Sequence, residues 1–534
     1  MITNPILKGF HPDPSIVRVG DDYYVATSTF EWFPGVRIHH SRDLKHWRLL
    51  THALTRTSQL NMEGNPDSCG VWAPCLTHKD GIFYLLFTDV KSRRGAFKDT
   101  HNYLVTADRI EGPWSDPVFL NSSGFDPSLF HDDDGRSWLL NMLWDHRAKR
   151  RDAFAGIVLQ EYSVGEQRLV GERKIIFKGT SLQLTEGPHL YKRNGYYYLV
   201  VAEGGTEYGH AVTIARSEAI DGPYEVDPMN PVLTSSGKSD WPLQKAGHGC
   251  LVETQGGEWA MVHLVGRPVK DDRCILGRET AIQPMEWTED GWIRVRGGGN
   301  VPHVAFEAFD LAEHPFPSEP DTDHFDSEPL NLHWSTLRLP PDSTWLTLAE
   351  RPGYLRLRGR ESMNSLHRQS LIARRQQAKY CEAETSLEFE PEHFQQMAGL
   401  ILYYDTTDYV YLRVSRDEVL GKCIGIVRSV GGVFETMPDT EVSIEGTRQC
   451  KLKVKIEAQH ASFSFAVDEG PWKSIGPMLD ILHLADEPLN GAIRFTGNFI
   501  GLCAQDGSGM RIHADFDYFR YTEFHEDTDR RKAL

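Results

Sequence analysis

The stretch His11-Pro12-Asp13-Pro14-Ser15-Ile16-Val17-Arg18-Val19-Gly20-Asp21-Asp22-Tyr23-Tyr24-Val25-Ala26 decides how the first three hundred residues are read. A small polar residue and Pro lead into an apolar run, Gly20-Asp21-Asp22 supplies a turn, and an aromatic run follows. That order specifies two short strands joined as a hairpin. It returns at Val71-Trp72-Ala73-Pro74-Cys75-Leu76 with Phe83-Tyr84-Leu85, and at Phe125-Asp126-Pro127-Ser128-Leu129-Phe130 with Trp138-Leu139-Leu140. Two more copies are Thr185-Glu186-Gly187-Pro188-His189-Leu190 with Tyr196-Tyr197-Tyr198, and the Pro-less Gly247-His248-Gly249-Cys250-Leu251 with Trp259-Ala260-Met261.

Taking Asp13, Trp72, Asp126, Glu186 and His248 as equivalent points, the copies are 59, 54, 60 and 62 residues apart. This period suits a four-stranded propeller blade, and five copies predict a five-bladed β-propeller over residues 1–305. Residues 306–323, rich in Pro and acid around His314-Pro315-Phe316-Pro317, read as a linker. Beyond it, runs such as Cys450-Lys451-Leu452-Lys453-Val454-Lys455-Ile456 alternate apolar with charged residues, the pattern of a sheet with one wet face. Residues 324–534 are therefore expected to form a β-sandwich of the concanavalin or jelly-roll kind, and the chain as a whole is all-β.

Composition narrows the partners. Among 534 residues, 57 Lys and Arg stand against 75 Asp and Glu, a net charge of −18, which disfavours nucleic acid and anionic membranes. No run of about 18 apolar residues is present, and the first nine residues lack an apolar leader core, so no membrane partner and a cytoplasmic location are expected. Eight cysteines without a CxxC pair are expected to be reduced thiols.

In a propeller the innermost strands begin around one mouth of the central channel, so equivalent repeat positions converge. Three carboxylates, Asp13, Asp126 and Glu186, then share that mouth with Trp72 and His248. Acids so placed repel one another, which raises at least one pKa and separates their roles. One protonated acid and one ionised base are what inverting glycoside hydrolysis uses. Singly, each is an ordinary turn or surface residue; their common registration gives them weight.

Together, His11-Pro12-Asp13-Pro14-Ser15, Phe125-Asp126-Pro127-Ser128, Thr185-Glu186-Gly187-Pro188-His189 and Leu276-Gly277-Arg278-Glu279-Thr280 resemble glycoside hydrolase family 43, in its two-domain β-xylosidase branch. The resemblance implies an inverting exo-glycosidase that removes xylose from non-reducing ends of xylo-oligosaccharides, with α-L-arabinofuranosidase side activity. It makes Asp13 general base, Glu186 general acid and Asp126 the carboxylate that orients substrate and tunes the acid. Arg278 matches an arginine that hydrogen-bonds the terminal sugar, Phe30 and Trp72 match aromatic walls of its pocket, and Phe499 matches an aromatic brought by a sandwich loop that caps the pocket. No cofactor is implied as required. In parts of the family a histidine at the place of His248 holds Ca2+ near the propeller centre through water, or joins the carboxylate network; one imidazole is not itself a calcium motif. Relatives of this size form dimers or tetramers, so a homo-oligomer is expected. Three other readings are a family 43 α-L-arabinofuranosidase or arabinan-degrading enzyme, which shares the acid triad and spacing, a family 32 fructosidase, whose Asn-Asp-Pro-Asn signature is absent, and a non-catalytic carbohydrate-binding propeller, which has no need of three acids.

Overall fold

A computed structural model describes residues 1–147, 153–488, 491 and 493–524. They form strands and loops, with one short 3-10 turn at Leu482–Leu484. No helix among them is long and apolar enough to cross a membrane. All eight cysteines are buried and none is in a disulfide.

The chain divides into two compact units, residues 1–267 with 278–316, and residues 268–277 with 317–534. The first unit is the five-bladed propeller. Each blade is an antiparallel sheet written in chain order from the axis outward. Blade one is Ser15–Val19, Asp22–Thr27, Gly35–Ser41 and Arg48–Leu54; blade two is Gly70–Lys79, Ile82–Ser92, Asp99–Ala107 and Val118–Asn121. Blade three is Ser128–His131, Ser137–Trp144, Phe154–Ser163 and Arg168–Phe177; blade four is Glu186–Arg193, Tyr196–Glu203, Ala211–Ser217 and Glu225–Val226, with Leu233–Thr234 beside its third strand. Blade five is Gln244–Glu253, Trp259–Gly266, Arg278–Trp287 and Ile293–Val295. Inner strands neighbour one another in order, and Gln244–Glu253 returns to Ser15–Val19, closing the ring.

Apolar faces of successive blades bury each other. Val36 and Ile38 of blade one join Phe83, Leu85 and Phe87 of blade two in one core cluster, and Leu140 and Leu159 of blade three join Leu199 and Val201 of blade four in another. Each fully buried side chain of this size contributes roughly 1.5–3 kcal/mol. The amino-terminal segment fastens the ring: Ile2–Thr3 pairs with Ala305–Phe306, and Asn4 Nδ2 donates to Ile282 O at 2.7 Å and His303 O at 2.8 Å.

The second unit packs two antiparallel sheets over one core. One sheet runs Leu346–Thr347, Leu355–Arg358, His513–Glu523, Tyr380–Phe389, Gln449–Glu457, His460–Val467 and Lys473–Asp480. The other includes Gly421–Val430, Tyr409–Asp417, Gln396–Tyr403, Phe499–Asp506 and Ser370–Arg375 in that order. In Gln449–Glu457 the residues Cys450, Leu452, Val454 and Ile456 are buried while the intervening lysines are not, as period-two alternation requires.

One boundary differs from the sequence reading. The division falls at 316/317, inside the stretch read as linker, and Pro268–Gly277, read as part of the propeller, belongs with the second unit. Its backbone is held there: Asn498 N donates to Ile275 O at 2.8 Å, Cys274 N to Glu487 Oε2 at 2.8 Å, and Lys379 Nζ to Pro268 O at 2.8 Å. Ile275 also lies in the sandwich core. A hairpin connection carries no period of its own, so repeat spacing could not reveal where it packs.

Candidate active site

The five inner strands open with one shared irregularity. In blade one, Ser28 N donates to Pro12 O at 3.1 Å and Ser15 opposes Ala26. In blade three, Met142 N donates to Phe125 O at 3.0 Å and Ser128 opposes Leu140. In the others, Trp72 opposes Thr88 and Cys75 opposes Leu86; Glu186 opposes Ala202 and His189 opposes Val200; Gly247 opposes Leu264 and Cys250 opposes Val262. Each time, three steps along the inner strand match two along its neighbour, a one-residue bulge. Such bulges bend a strand and re-aim a side chain.

The residue at the head of each bulge has a left-handed backbone: Asp13 (φ 55°), Ala73 (26°), Asp126 (56°), Gly187 (56°) and His248 (51°). This corrects the sequence alignment. Asp13, Asp126 and His248 are equivalent, but Trp72 and Glu186 sit one position earlier, in register with Pro12 and Phe125. Asp tolerates this conformation better than most residues, which fits it to the position. At Gly187 a side chain has no room, because an added Cβ would stand 2.9 Å from His248 Cε1.

Asp13 is buried and fully engaged. Ser28 Oγ donates to its Oδ2 at 2.7 Å, and Arg278 Nη1 donates to its Oδ1 at 3.1 Å. Burial would raise this carboxyl; Arg278, His248, the Ser28 hydrogen bond and His210 together outweigh it and hold the group below the ordinary range. Asp126 is buried too, and its one hydrogen bond from a described donor is Gly187 N–H to Oδ2 at 3.0 Å. Burial and the charge of Asp13 push it well above the ordinary range, against the weaker pull of Gly187 N–H and Arg278. One environment thus keeps an ionised carboxylate beside a protonated one.

Arg278 opens the third strand of blade five. Besides Asp13 it donates to Thr206 Oγ1 at 3.0 Å, and its guanidinium carbon lies 5.3 Å from the Phe30 ring centroid. Phe30 continues an aromatic series: Phe10 at 5.6 Å and Trp72 at 5.8 Å from it, then Phe125 at 5.4 Å from Trp72. Trp72 is half-buried and anchored by Nε1 to Ser68 O at 3.2 Å, leaving part of its surface open. Glu186 is likewise half-buried and lies within electrostatic reach of Lys98, whose ammonium burial pushes to a lower pKa.

His248 is buried, and burial with the charge of Arg278 lowers its pKa against the pull of Asp13, so the ring is a neutral member of the network. Among the described residues, no group of three or more His, Cys, Asp or Glu is arranged to hold a metal. With the oxygens of Asp13 turned to Ser28 and Arg278, the donors around His248 do not fit a directly bound calcium, which takes six to eight oxygens. Phe499 belongs to the second unit, where it opens Phe499–Asp506, is fully buried, and carries the Arg375 guanidinium 5.1 Å from its ring centroid.

Sequence reasoning missed Ser28, Thr206, His210 and Phe10. The hairpin register places Ser28 opposite the bulge, and Thr206 lies in the Gly-rich turn Gly204-Gly205-Thr206, a signal that was available.

Comparison with known proteins gives the same picture. The family described as glycosyl hydrolases family 43 matches residues 2–293, and the β-xylosidase C-terminal concanavalin A-like domain matches residues 322–522. The chain is 49% identical to a xylan 1,3-β-xylosidase of a Vibrio species, with 98% of this chain and 99% of the relative covered. It is also 49% identical to xylosidase/arabinosidase 43B of Humicola insolens, with 99% of each covered. The crystal structure of a xylan β-1,4-xylosidase from Bacillus halodurans superposes with a TM-score of 0.97 at 60% identity, covering 98% of this chain and 100% of that one. With its propeller, sandwich and paired acids in place, the chain belongs to glycosyl hydrolases family 43.

Proposed function

We propose that this enzyme is an inverting exo-β-xylosidase releasing xylose from the non-reducing ends of β-1,4-xylo-oligosaccharides, with α-L-arabinofuranosidase side activity. The observation that carries the reading is the opposite displacement of two carboxyls at equivalent bulges, Asp13 downward and Asp126 upward. A general base has to be ionised at working pH, and Asp13 is. It takes a proton from water as the water attacks the anomeric carbon from the face opposite the leaving group. Glu186 gives its proton to the departing glycosidic oxygen. Asp126, protonated, adds no second negative charge beside the base and offers a donor to a sugar hydroxyl. Arg278 fixes Asp13 and serves as a charged donor to the terminal sugar, while Phe30 and Trp72 supply apolar surface.

The similar proteins named above act on β-xylosides, which supports the substrate class; the 60% identical 1,4-xylosidase favours that linkage over 1,3. The family pattern adds a cytoplasmic dimer or tetramer that requires no metal. Chelation should leave activity unchanged, and light scattering giving a monomer would remove the assembly.

Proton NMR of the enzyme with 1,4-xylobiose tests the chemistry. α-Xylose should appear before mutarotation; initial β-xylose would overturn the role of Asp13, and cleavage of 1,3-xylobiose alone would overturn the linkage. An inverting site also requires Asp13 and Glu186 to stand about 6.5–9.5 Å apart.

A further inference from the structure

The sandwich unit carries a cleft of about 730 Å³, within the range of small-ligand sites, lined in part by Asp342, Arg360, Glu361, Arg368, Asp506 and Arg511. Arg360 is locked in it. Its guanidinium carbon lies 4.3 Å from the ring centroid of the buried Trp345, Nε donates to Ser370 Oγ at 3.1 Å and Nη2 to Gln369 O at 2.6 Å. Burial, with the charges of Arg511 and Arg368, outweighs Asp342 and Glu361 and lowers its pKa to about 10.

The acids lining the cleft are turned to their own loops. Asp342 accepts from Thr344 N at 2.8 Å and from Thr344 Oγ1; Glu361 accepts from Arg368 N at 2.9 Å and from Ser365 Oγ. Asp506 accepts from Ser508 N at 2.9 Å, Ser508 Oγ and Ile512 N at 3.2 Å, and from Gln396 Nε2 of a neighbouring strand at 3.4 Å. Arg511 gives one hydrogen bond, to Thr344 O at 3.0 Å, and neither it nor Arg360 has an ion-pair partner among the described residues. Arg360 keeps Nη1, and Arg511 keeps Nε and Nη1, without a hydrogen bond among the described residues, so both guanidiniums retain donors for an oxyanion in the cleft. Guanidinium N–H groups are charged donors suited to the oxygens of carboxylate or phosphate.

We propose that this cleft is an anion-recognition site for a sugar-sized molecule bearing a carboxylate or phosphate group. The inference is independent of the catalytic reading, since it is tested by binding. Calorimetry on the full chain at low salt would compare glucuronate, glucose 6-phosphate and neutral glucose. At least one anion should bind tenfold or more tightly than glucose, and which one does so assigns carboxylate or phosphate as the group recognised. Arg511→Gln, at an exposed position, should weaken that binding tenfold or more while leaving the ligand-free unfolding midpoint unchanged. Binding of neither anion above glucose, or binding that Arg511→Gln leaves intact, would overturn the proposal.

Discussion

Asp13 in the first blade and Asp126 in the third occupy the same bulge, with φ of 55° and 56°, and each is followed by Pro and Ser, yet their carboxyls are displaced in opposite directions. Backbone, burial and neighbours in sequence are shared. What differs is what the other blades deliver. Blade five brings Arg278 and the neighbouring hairpin strand leads to Ser28, both bonded to Asp13, whereas Asp126 receives a backbone N–H and faces the negative charge of Asp13. A repeat can therefore copy a geometry while the ring around it assigns the chemistry.

The strongest way to break the comparison is Asp13→Ala, which should lower kcat/KM by about 10²–10⁴, measured below the variant's unfolding midpoint because the loss of its bonds to Ser28 and Arg278 also lowers stability. A loss smaller than tenfold would deprive the ionised member of its role. Next is Glu186→Ala, outside the shared position, which should cost xylobiose turnover at least tenfold more than turnover of an aryl xyloside with a good leaving group. Equal losses on the two substrates would contradict the acid assignment.

Arg278→Met attacks the cause of the difference. Without the guanidinium the Asp13 carboxyl rises toward its buried value, so the acidic limb of the kcat/KM profile should move to higher pH, with KM raised as well. An unmoved acidic limb would mean that Arg278 does not set the base.

Asp126→Asn tests the other member through stability. A carboxyl whose folded pKa is raised favours the fold most below its ordinary pKa of about 3.9, and that contribution is lost as pH rises toward the folded value. Asn stays neutral, so the variant's midpoint should gain on the parent's between pH 5 and pH 9. For Asp13, with its pKa lowered, the sign reverses: stability is present above the ordinary pKa and lost as pH falls through the folded one. Parallel midpoint curves for Asp126→Asn and the parent would refute the raised pKa. The smallest effect is expected of Ser28→Ala, a few-fold loss in kcat/KM with a slight rise of the acidic limb, since one of the two hydrogen bonds to Asp13 remains.

Much of this was legible beforehand. Hairpin strands, their turns and the five-fold period were read from aromatic runs and Gly-Asp turns, and Asp13, Asp126, Arg278 and Phe30 were marked by motif. The register was off by a residue at Trp72 and Glu186, because both copies offer two candidates before Pro and only the cross-strand pairing with Thr88 and Ala202 chooses between them. Pro268–Gly277 was misplaced for a similar reason, its partners Lys379, Glu487 and Asn498 lying far along the chain.

By itself the sequence determined the all-β class, the repeat and the kinds of side chain at each blade's head, since side-chain alternation and turn preference act over a few residues. The tertiary structure alone decided which heads are equivalent, that Arg278 reaches Asp13 across 265 residues, and that one of two buried acids is ionised and the other protonated. Desolvation and charge act through space, and only the closed ring brings those groups within a hydrogen bond of one another.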